Sequence, residues 1–354
     1  MTEVRLMKGN EAIAEAAILA GCKYYFGYPI TPQNEVIEHM ARRMPEVGGV
    51  CLQAESELAA INMVFGAAAA GARAMTSSSS PGISLMQEGI SYLACGELPC
   101  LIVNIMRAGP GLGGIAPAQG DYFQATRGGG HGDYHTIVLA PHSVQECFDM
   151  TIQAFELADR YRIPVLLLGD GALGQMMEKV EWEPFEPQVI PKPWAATGLR
   201  GRELNNIVKT LILTPEKLEE HNRKLQEKYR TIAERETLWE EIRTEDADLV
   251  LVAYGITARI AQSAMDLARA RGLRVGMLRP KTLWPFPMRA LKDVAQRAGA
   301  FLVVELSAGQ MLQDVQLSIE HAKPVHFYGR MGGMVPDARE VLGQILAVFG
   351  KESR

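Results

Sequence analysis

Between residues 8 and 170 the chain alternates apolar segments of strand length with patterned segments of helix length. That alternation restricts the fold more than any other feature. The strand-like segments are Tyr24–Phe26, Val50–Leu52, Ala74–Thr76, Leu101–Met106, Thr136–Leu139 and Val165–Leu168. They show little in–out alternation, which predicts a mostly parallel sheet covered by helices on both faces. Parallel neighbours then require right-handed crossovers. Asn10 is expected to cap a helix carrying Ile13, Ala16, Ala17 and Leu19 and ending at Gly21. Pro32 is expected to open a second, with Val36, Ile37 and Met40 on its apolar face. An Ala-rich third over 57–70 closes at Gly71, and Pro81 starts a fourth.

Composition shifts near Glu178. Residues 180–200 hold prolines and tryptophans without a period, as in an extended surface segment. Residues 215–242 are rich in Glu, Lys and Arg, with Leu218, Leu225, Tyr229, Ile232 and Leu238 spaced like a helix face, which predicts a solvated helical arm. A second α/β block begins at Leu249–Tyr254. It continues through a helix over Ile256–Arg271 and strands at Leu273–Leu278, Phe301–Val304 and Pro324–Phe327. The expected organisation is therefore 1–180, a linker and arm over 181–245, and 246–354. A net charge of −5 without a basic run argues against nucleic acid. No apolar stretch reaches membrane-spanning length and the start lacks a signal layout, so a cytoplasmic protein is expected. Cys22, Cys51, Cys95, Cys100 and Cys147 form no C-x-x-C pair, which points to reduced thiols and places any iron–sulfur cluster on another chain.

Several strand ends carry candidate chemistry. In Tyr28-Pro29-Ile30-Thr31-Pro32 the prolines fix two φ angles and bias the preceding residues toward extended shapes. Thr31 is thus held where open α/β sheets bind ligands, although a hydroxyl there also serves as an ordinary cap. Glu55 and Glu57 lie two apart at a strand-to-helix junction, so they do not share a helix face and one can be buried while the other is solvated. An acid in a first helical turn is also favoured by the helix dipole alone. Arg107, directly after a strand, suits either a bidentate hold on a carboxylate or a structural ion pair.

The run Gly109-Pro110-Gly111-Leu112-Gly113-Gly114 matches G-x-G-x-x-G. Pro117 follows too soon for a helix to meet a pyrophosphate, so a dinucleotide site is rejected. The serines at 77–80 lack a nucleophile elbow and read as a polar wall or cap. His131 and His135, beside Gly128-Gly129-Gly130, do not share a helix face for zinc.

Taken together, Gly27–Pro32, Gln53–Gly66, Thr76–Gly82, Met106–Gly114 and Leu278–Pro287 resemble the α subunit of 2-oxoacid:ferredoxin oxidoreductases over nearly the whole chain. The resemblance implies an α/β fold class: a parallel-sheet, pyrimidine-type thiamine-diphosphate-binding domain plus a transketolase C-terminal-like domain. It implies that Glu57, not Glu55, meets ring nitrogen N1′ of thiamine diphosphate, because Glu57 and Gly66 fit the family spacing. It further implies that Thr31 and Arg107 bind substrate, and that Tyr28 and Pro29 lie at the cofactor. Such a Glu57 should be buried. Gly169-Asp170-Gly171 resembles the start of the magnesium–diphosphate motif, but Asn205-Asn206 lies too far on. It is read as a strand-end turn, with no metal on this chain.

The implied partners are a β subunit holding the diphosphate and Mg2+, a γ subunit, and a ferredoxin-like δ subunit. [4Fe-4S] clusters are expected on partners, with ferredoxin, coenzyme A and a 2-oxoacid as reactants. The segments 109–114, 121–126 and 128–134 are most similar to branched-chain members, which favours 3-methyl-2-oxobutanoate, with 2-oxoglutarate second. Two other readings stand beside this one. The first is a β-type subunit of a lipoamide-linked 2-oxoacid dehydrogenase. The second is a non-catalytic assembly subunit, which would leave Glu57 in solvent or its cleft closed.

Overall fold

The computed structural model describes residues 2–188 and 190–352; Met1, Val189, Ser353 and Arg354 lie outside it. Seven strands form one sheet, in the order Thr282–Trp284, Ile137–Leu139, Pro164–Asp170, Cys100–Met106, Ala74–Ser78, Tyr24–Gly27 and Val50–Gln53. All neighbours are parallel except the first pair. The central strands Cys100–Met106 and Pro164–Asp170 are buried along their whole length. This explains their unbroken apolar runs: helices cover both faces, so neither face needs polar residues. At the edge, Val50 and Leu52 are exposed.

The helices Gly9–Leu19 and Asn34–Arg43 brace the strand carrying Tyr28–Pro32. Asn10 is not the cap of the first helix: Lys8 occupies that position, and Glu11 closes a capping box onto the Lys8 N–H. Asn10 is buried and donates to Pro32 O and Glu35 Oε2, both at 2.8 Å. The second helix starts at Asn34, after a turn in which Gln33 N–H donates to Ile30 O, so Pro32 precedes it.

Glu15 is buried between the same helices, accepting from His39 Nε2 at 2.7 Å and Arg43 Nε at 3.1 Å. Burial alone would raise its carboxyl, but the hydrogen bonds from His39 and Arg43 outweigh burial and lower it to about 2. The unfolded chain, with Glu15 near 4.5, then binds more protons than the folded one between those two values. The stabilisation from Glu15 is complete above the unfolded value and is lost as pH falls through the folded one. Glu15→Gln is therefore expected to lower Tm at pH 7 and to flatten the loss of Tm between about pH 4.5 and 2, read by thermal denaturation across pH. An acid slope equal to wild type would count against this role.

The second unit is a five-stranded sheet in the order Val325–Gly329, Ala300–Glu305, Leu249–Val252, Val275–Pro280 and Trp239–Ile242, antiparallel only at the last pair. Strand pairing crosses the expected boundaries twice: Trp239–Ile242 joins the second sheet, and Thr282–Trp284 joins the first. The charged helix consequently stops at Arg235 instead of running to residue 242, because the backbone beyond it finds partners on Met277–Pro280. That helix docks Leu225, Tyr229 and Ile232 in the first core, with its charged face outward. Met177–Trp182 is a strand whose last three residues open the segment expected to be extended. It pairs antiparallel with Glu3–Lys8 and buries Val180 and Trp182. Arg279, next to its strand's end, is 1% exposed and spans both units: it donates to Glu146 at 2.8 and 2.9 Å and to Glu240 at 2.9 Å.

Candidate active site

The candidate residues gather at the carboxyl ends of the first sheet's strands, where such sheets open a crevice. Ser56 caps the helix Glu57–Ala69, its Oγ accepting from Ala59 N–H at 3.2 Å. The cap fixes the turn that separates the two acids. Glu55 is exposed, while Glu57 is 6% exposed. Gly82 makes room for the Glu57 carboxyl: a Cβ there would stand 2.6 Å from Glu57 Oε1 and collide with Ser78 Oγ. No hydrogen bond or ion pair reaches the Glu57 carboxyl among the described residues. Nearby, the buried hydroxyls of Thr76, Ser78 and Ser79 are likewise without partners. Buried polar groups are nearly always paired, so a cluster of unpaired ones calls for an explanation, a bound ligand among them.

Arg107 is held in place from several sides. Its Nη1 donates to Thr31 O at 3.0 Å and its Nη2 to Leu112 O at 2.9 Å. Its backbone N–H donates to Ser80 Oγ at 3.0 Å, and its Nε is buried without a partner. One further N–H therefore remains on each Nη. The same contact brings Arg107 to Thr31, whose side chain is exposed, as are Tyr28 and Pro29. Thr31 Oγ1 accepts from Asn34 Nδ2 at 3.5 Å.

A cleft of about 410 Å³ opens beside Arg107, between Ser80, Pro81, Pro110 and Asp121 of the first unit and Leu306 and Met331 of the second. Gln119 fastens the two walls. Its N–H donates to Leu306 O at 2.9 Å, its Oε1 accepts from Leu306 N–H at 3.0 Å, and its Nε2 donates to Tyr254 O at 2.9 Å. Sequence reasoning missed Gln119 and the wall from the second unit, because no local pattern reports which distant strand ends meet.

Of the remaining candidates, the glycine run borders the cleft through Gly109, Pro110 and Gly111, and the others lie outside its lining. The glycine run 109–114 is an exposed loop with Gly111 and Gly113 at positive φ, and no helix begins before Tyr122. Gly169–Gly171 is more than a turn: Asp170 caps the helix Gly171–Gln175 and also accepts from Ile256 N–H of the second unit. Burial pushes its carboxyl up to about 6. His131 is exposed, and His135 stacks on Trp284 with ring centroids 4.4 Å apart.

Comparison with known proteins places this geometry. Residues 15–241 match the family model for the thiamine-diphosphate-binding domain of pyruvate flavodoxin/ferredoxin oxidoreductases. Residues 247–341 match that for core domain II of pyruvate:ferredoxin oxidoreductase. The chain is 50% identical to the ketoisovalerate oxidoreductase subunit VorB of Methanothermobacter marburgensis, covering 99% of both chains. The chain belongs to the 2-oxoacid:ferredoxin oxidoreductase family. Another relative is the 2-oxoglutarate synthase subunit KorA of Methanothermobacter thermautotrophicus, 39% identical over 98% of this chain and 99% of that one.

Among solved structures, the 2-oxoglutarate:ferredoxin oxidoreductase of Magnetococcus marinus, with 2-oxoglutarate, coenzyme A and succinyl-CoA bound, superposes with a TM-score of 0.89 at 29% identity. This chain is covered to 97% and spans 65% of that one. A split-gene transketolase, at 15% identity and a TM-score of 0.58 over 96% of this chain and 97% of that one, shares the fold.

As a 2-oxoacid:ferredoxin oxidoreductase subunit, the chain carries the family's thiamine-diphosphate-binding domain, and its residues fit that cofactor's pyrimidine half. An unpartnered buried carboxyl suits a ring nitrogen, and orphaned hydroxyls suit an exocyclic amine. No group of three His, Cys, Asp or Glu side chains stands in metal-binding proximity among the described residues. No helix among them is long and apolar enough to cross a membrane.

Proposed function

We propose that this chain is the pyrimidine-binding subunit of a complex that oxidatively decarboxylates 3-methyl-2-oxobutanoate with coenzyme A to an acyl-CoA, carbon dioxide and reduced ferredoxin. Thiamine diphosphate supplies the electron sink for loss of carbon dioxide. Glu57 shares a proton with ring nitrogen N1′, beside Tyr28 and Pro29. The free Nη protons of Arg107 bind the substrate carboxylate and Thr31 orients it, so that the 2-oxo carbon is held for attack. The neighbouring subunits are a β subunit with the diphosphate and Mg2+, a γ subunit, and a ferredoxin-like δ subunit with [4Fe-4S] clusters, all cytoplasmic.

The observation that carries the substrate choice is the lining of the cleft. Arg107 is its one cation among the described residues; Asp121 is an acid, and Pro81, Ala108, Pro110, Leu306, Ala308 and Met331 are apolar. A branched apolar tail suits these apolar residues, whereas the wall offers no second cation to the distal carboxylate of 2-oxoglutarate, its other polar side chains being the neutral Ser80, Ser84, Ser307 and Gln310. The relative named for ketoisovalerate agrees with this choice. The burial of Glu57, and a cleft that stands open at Arg107, also speak against a non-catalytic assembly subunit.

The test is a screen of 2-oxoacids with the co-purified complex, following ferredoxin reduction without any lipoyl protein. The branched-chain acid is expected to exceed 2-oxoglutarate in kcat/KM by at least about tenfold, the order of discrimination that pocket contacts give. A preference for 2-oxoglutarate would overturn the substrate, and a requirement for lipoamide would overturn the enzyme class.

A further inference from the structure

One acid in the cleft has a place in the structure but no part in the reading above. Asp121 lies on the cleft wall with Arg107, and its two oxygens differ. Oδ2 accepts from Ser80 Oγ at 2.5 Å and from Asn104 Nδ2 at 2.9 Å. Oδ1 has no hydrogen-bond partner among the described residues. Ser80 Oγ in turn accepts from the backbone N–H of Arg107, so one hydroxyl locks the acid and the guanidinium-bearing residue into a common frame. Asn104 is fully buried on the central strand and also accepts from Ser80 N–H at 3.1 Å. The carboxyl therefore cannot swing away, and its unused oxygen stays at the cleft.

We infer that Asp121 is a substrate-binding residue that meets the bound 2-oxoacid as the neutral acid, donating a hydrogen bond from its free oxygen to a substrate oxygen alongside Arg107. A 2-oxoacid enters as an anion. A second anion on the same half-apolar wall would repel it in a medium of reduced dielectric, whereas a neutral carboxylic acid donates where a carboxylate cannot. Burial raises the Asp121 carboxyl against the hydrogen bonds from Ser80 and Asn104, which eases protonation.

The charged groups on the packed elements leave this intact. Glu305 is turned inward to the N–H groups of Met311 and Leu312 and to Ser307. Asp314 is engaged by Tyr122 and Arg127. Tyr254 is buried, with its hydroxyl held well above its usual range by burial first and then by the nearby acids. Arg107 remains as the cation of the cleft. Binding thus draws a proton from solvent onto Asp121, and no other bond changes.

This inference rests on the proposed placement of substrate beside Arg107, not on which 2-oxoacid is used. Calorimetric titration of the co-purified complex, depleted of thiamine diphosphate so that no decarboxylation follows binding, with 3-methyl-2-oxobutanoate and separately with 2-oxoglutarate, in buffers of different ionisation enthalpy, measures the proton directly. Uptake is expected to approach one proton per site where the pH lies above the Asp121 value in the free complex and below its value with substrate bound, with Kd rising about tenfold per pH unit across that window. Asp121→Asn keeps an acceptor for Ser80 and Asn104 and a permanent donor for the substrate, so it should bind with a flat Kd–pH profile and no uptake. Asp121→Ala should lose affinity at every pH.

Proton-neutral binding by the wild-type complex, or an unchanged slope in Asp121→Asn, overturns the role. If the Asn variant does not assemble, the wild-type buffer series alone still decides. Uptake with 2-oxoglutarate and no binding of the branched-chain acid would sink the proposed substrate and leave Asp121 standing.

Discussion

Glu57→Gln is expected to cut 2-oxoacid oxidation by about 10²–10⁴-fold, the range that one positioned acid–base group contributes, while the complex assembles normally. Glutamine matches the shape of the acid and its hydrogen-bonding capacity on one side, but it cannot share a proton with a ring nitrogen. The stability of the same variant is the sharper readout. Glu57 is buried, with no hydrogen bond or ion pair to its carboxyl among the described residues, so the fold itself gains no contact from that group. Neutralising it should leave Tm unchanged or raise it, the signature of a group kept for function at the expense of stability. Cofactor affinity should fall in parallel, measured by quenching of intrinsic fluorescence on adding thiamine diphosphate. Near-wild-type turnover, or a large fall in Tm, would show that Glu57 is a structural acid and that the pyrimidine is met elsewhere.

The site was legible in the sequence where a short segment carries its own geometry. The junction itself showed only that Glu55 and Glu57 part company; the choice of Glu57 came from the family spacing to Gly66, and Glu57 is the buried one of the two while Glu55 is exposed. The central strands were legible because burial on both faces leaves an unbroken apolar run. Asn10 was misread because capping propensity is a local rule. A buried asparagine that ties Pro32 to Glu35 obeys a tertiary demand instead. Trp239–Ile242 was absorbed into the arm helix for a similar reason: four residues with two glutamates carry no strand signal until an edge at Met277–Pro280 offers them hydrogen bonds. Gln119 and Asp121 were invisible as site residues because each acquires its role from partners far along the chain: Leu306 and Tyr254 for the one, Ser80 for the other.

Arg279→Met is expected to destabilise the subunit by about 2–3 kcal/mol, below the full cost of breaking a buried ion pair because Glu240 is partly solvated and Glu146 keeps other cations. The guanidinium is the bulkiest of the fully buried side chains, and it binds Glu146 with two parallel hydrogen bonds and Glu240 with a third. Burial alone would raise the Glu146 carboxyl. Hydrogen bonds from His142 and Arg279 outweigh it and hold the acid well below the usual carboxylate range.

Removing the cation leaves Glu146 to His142 and Lys281, and leaves Glu240 with no guanidinium. Pairing Arg279→Met with Glu146→Met should recover much of the loss, since an apolar pair of similar volume replaces a buried ion pair at little net cost. Chemical denaturation of the four members of that cycle measures the coupling. A single-variant loss under about 1 kcal/mol would mean that solvent reaches the pair. Arg279 is the next-to-last residue of its strand, just before the chain crosses to Thr282–Trp284 on the first sheet, and Glu146 lies in a helix of the first unit. The same variant should therefore loosen the seat of the second unit, and with it the Leu306 and Met331 wall of the cleft, raising KM for the 2-oxoacid more than it lowers kcat.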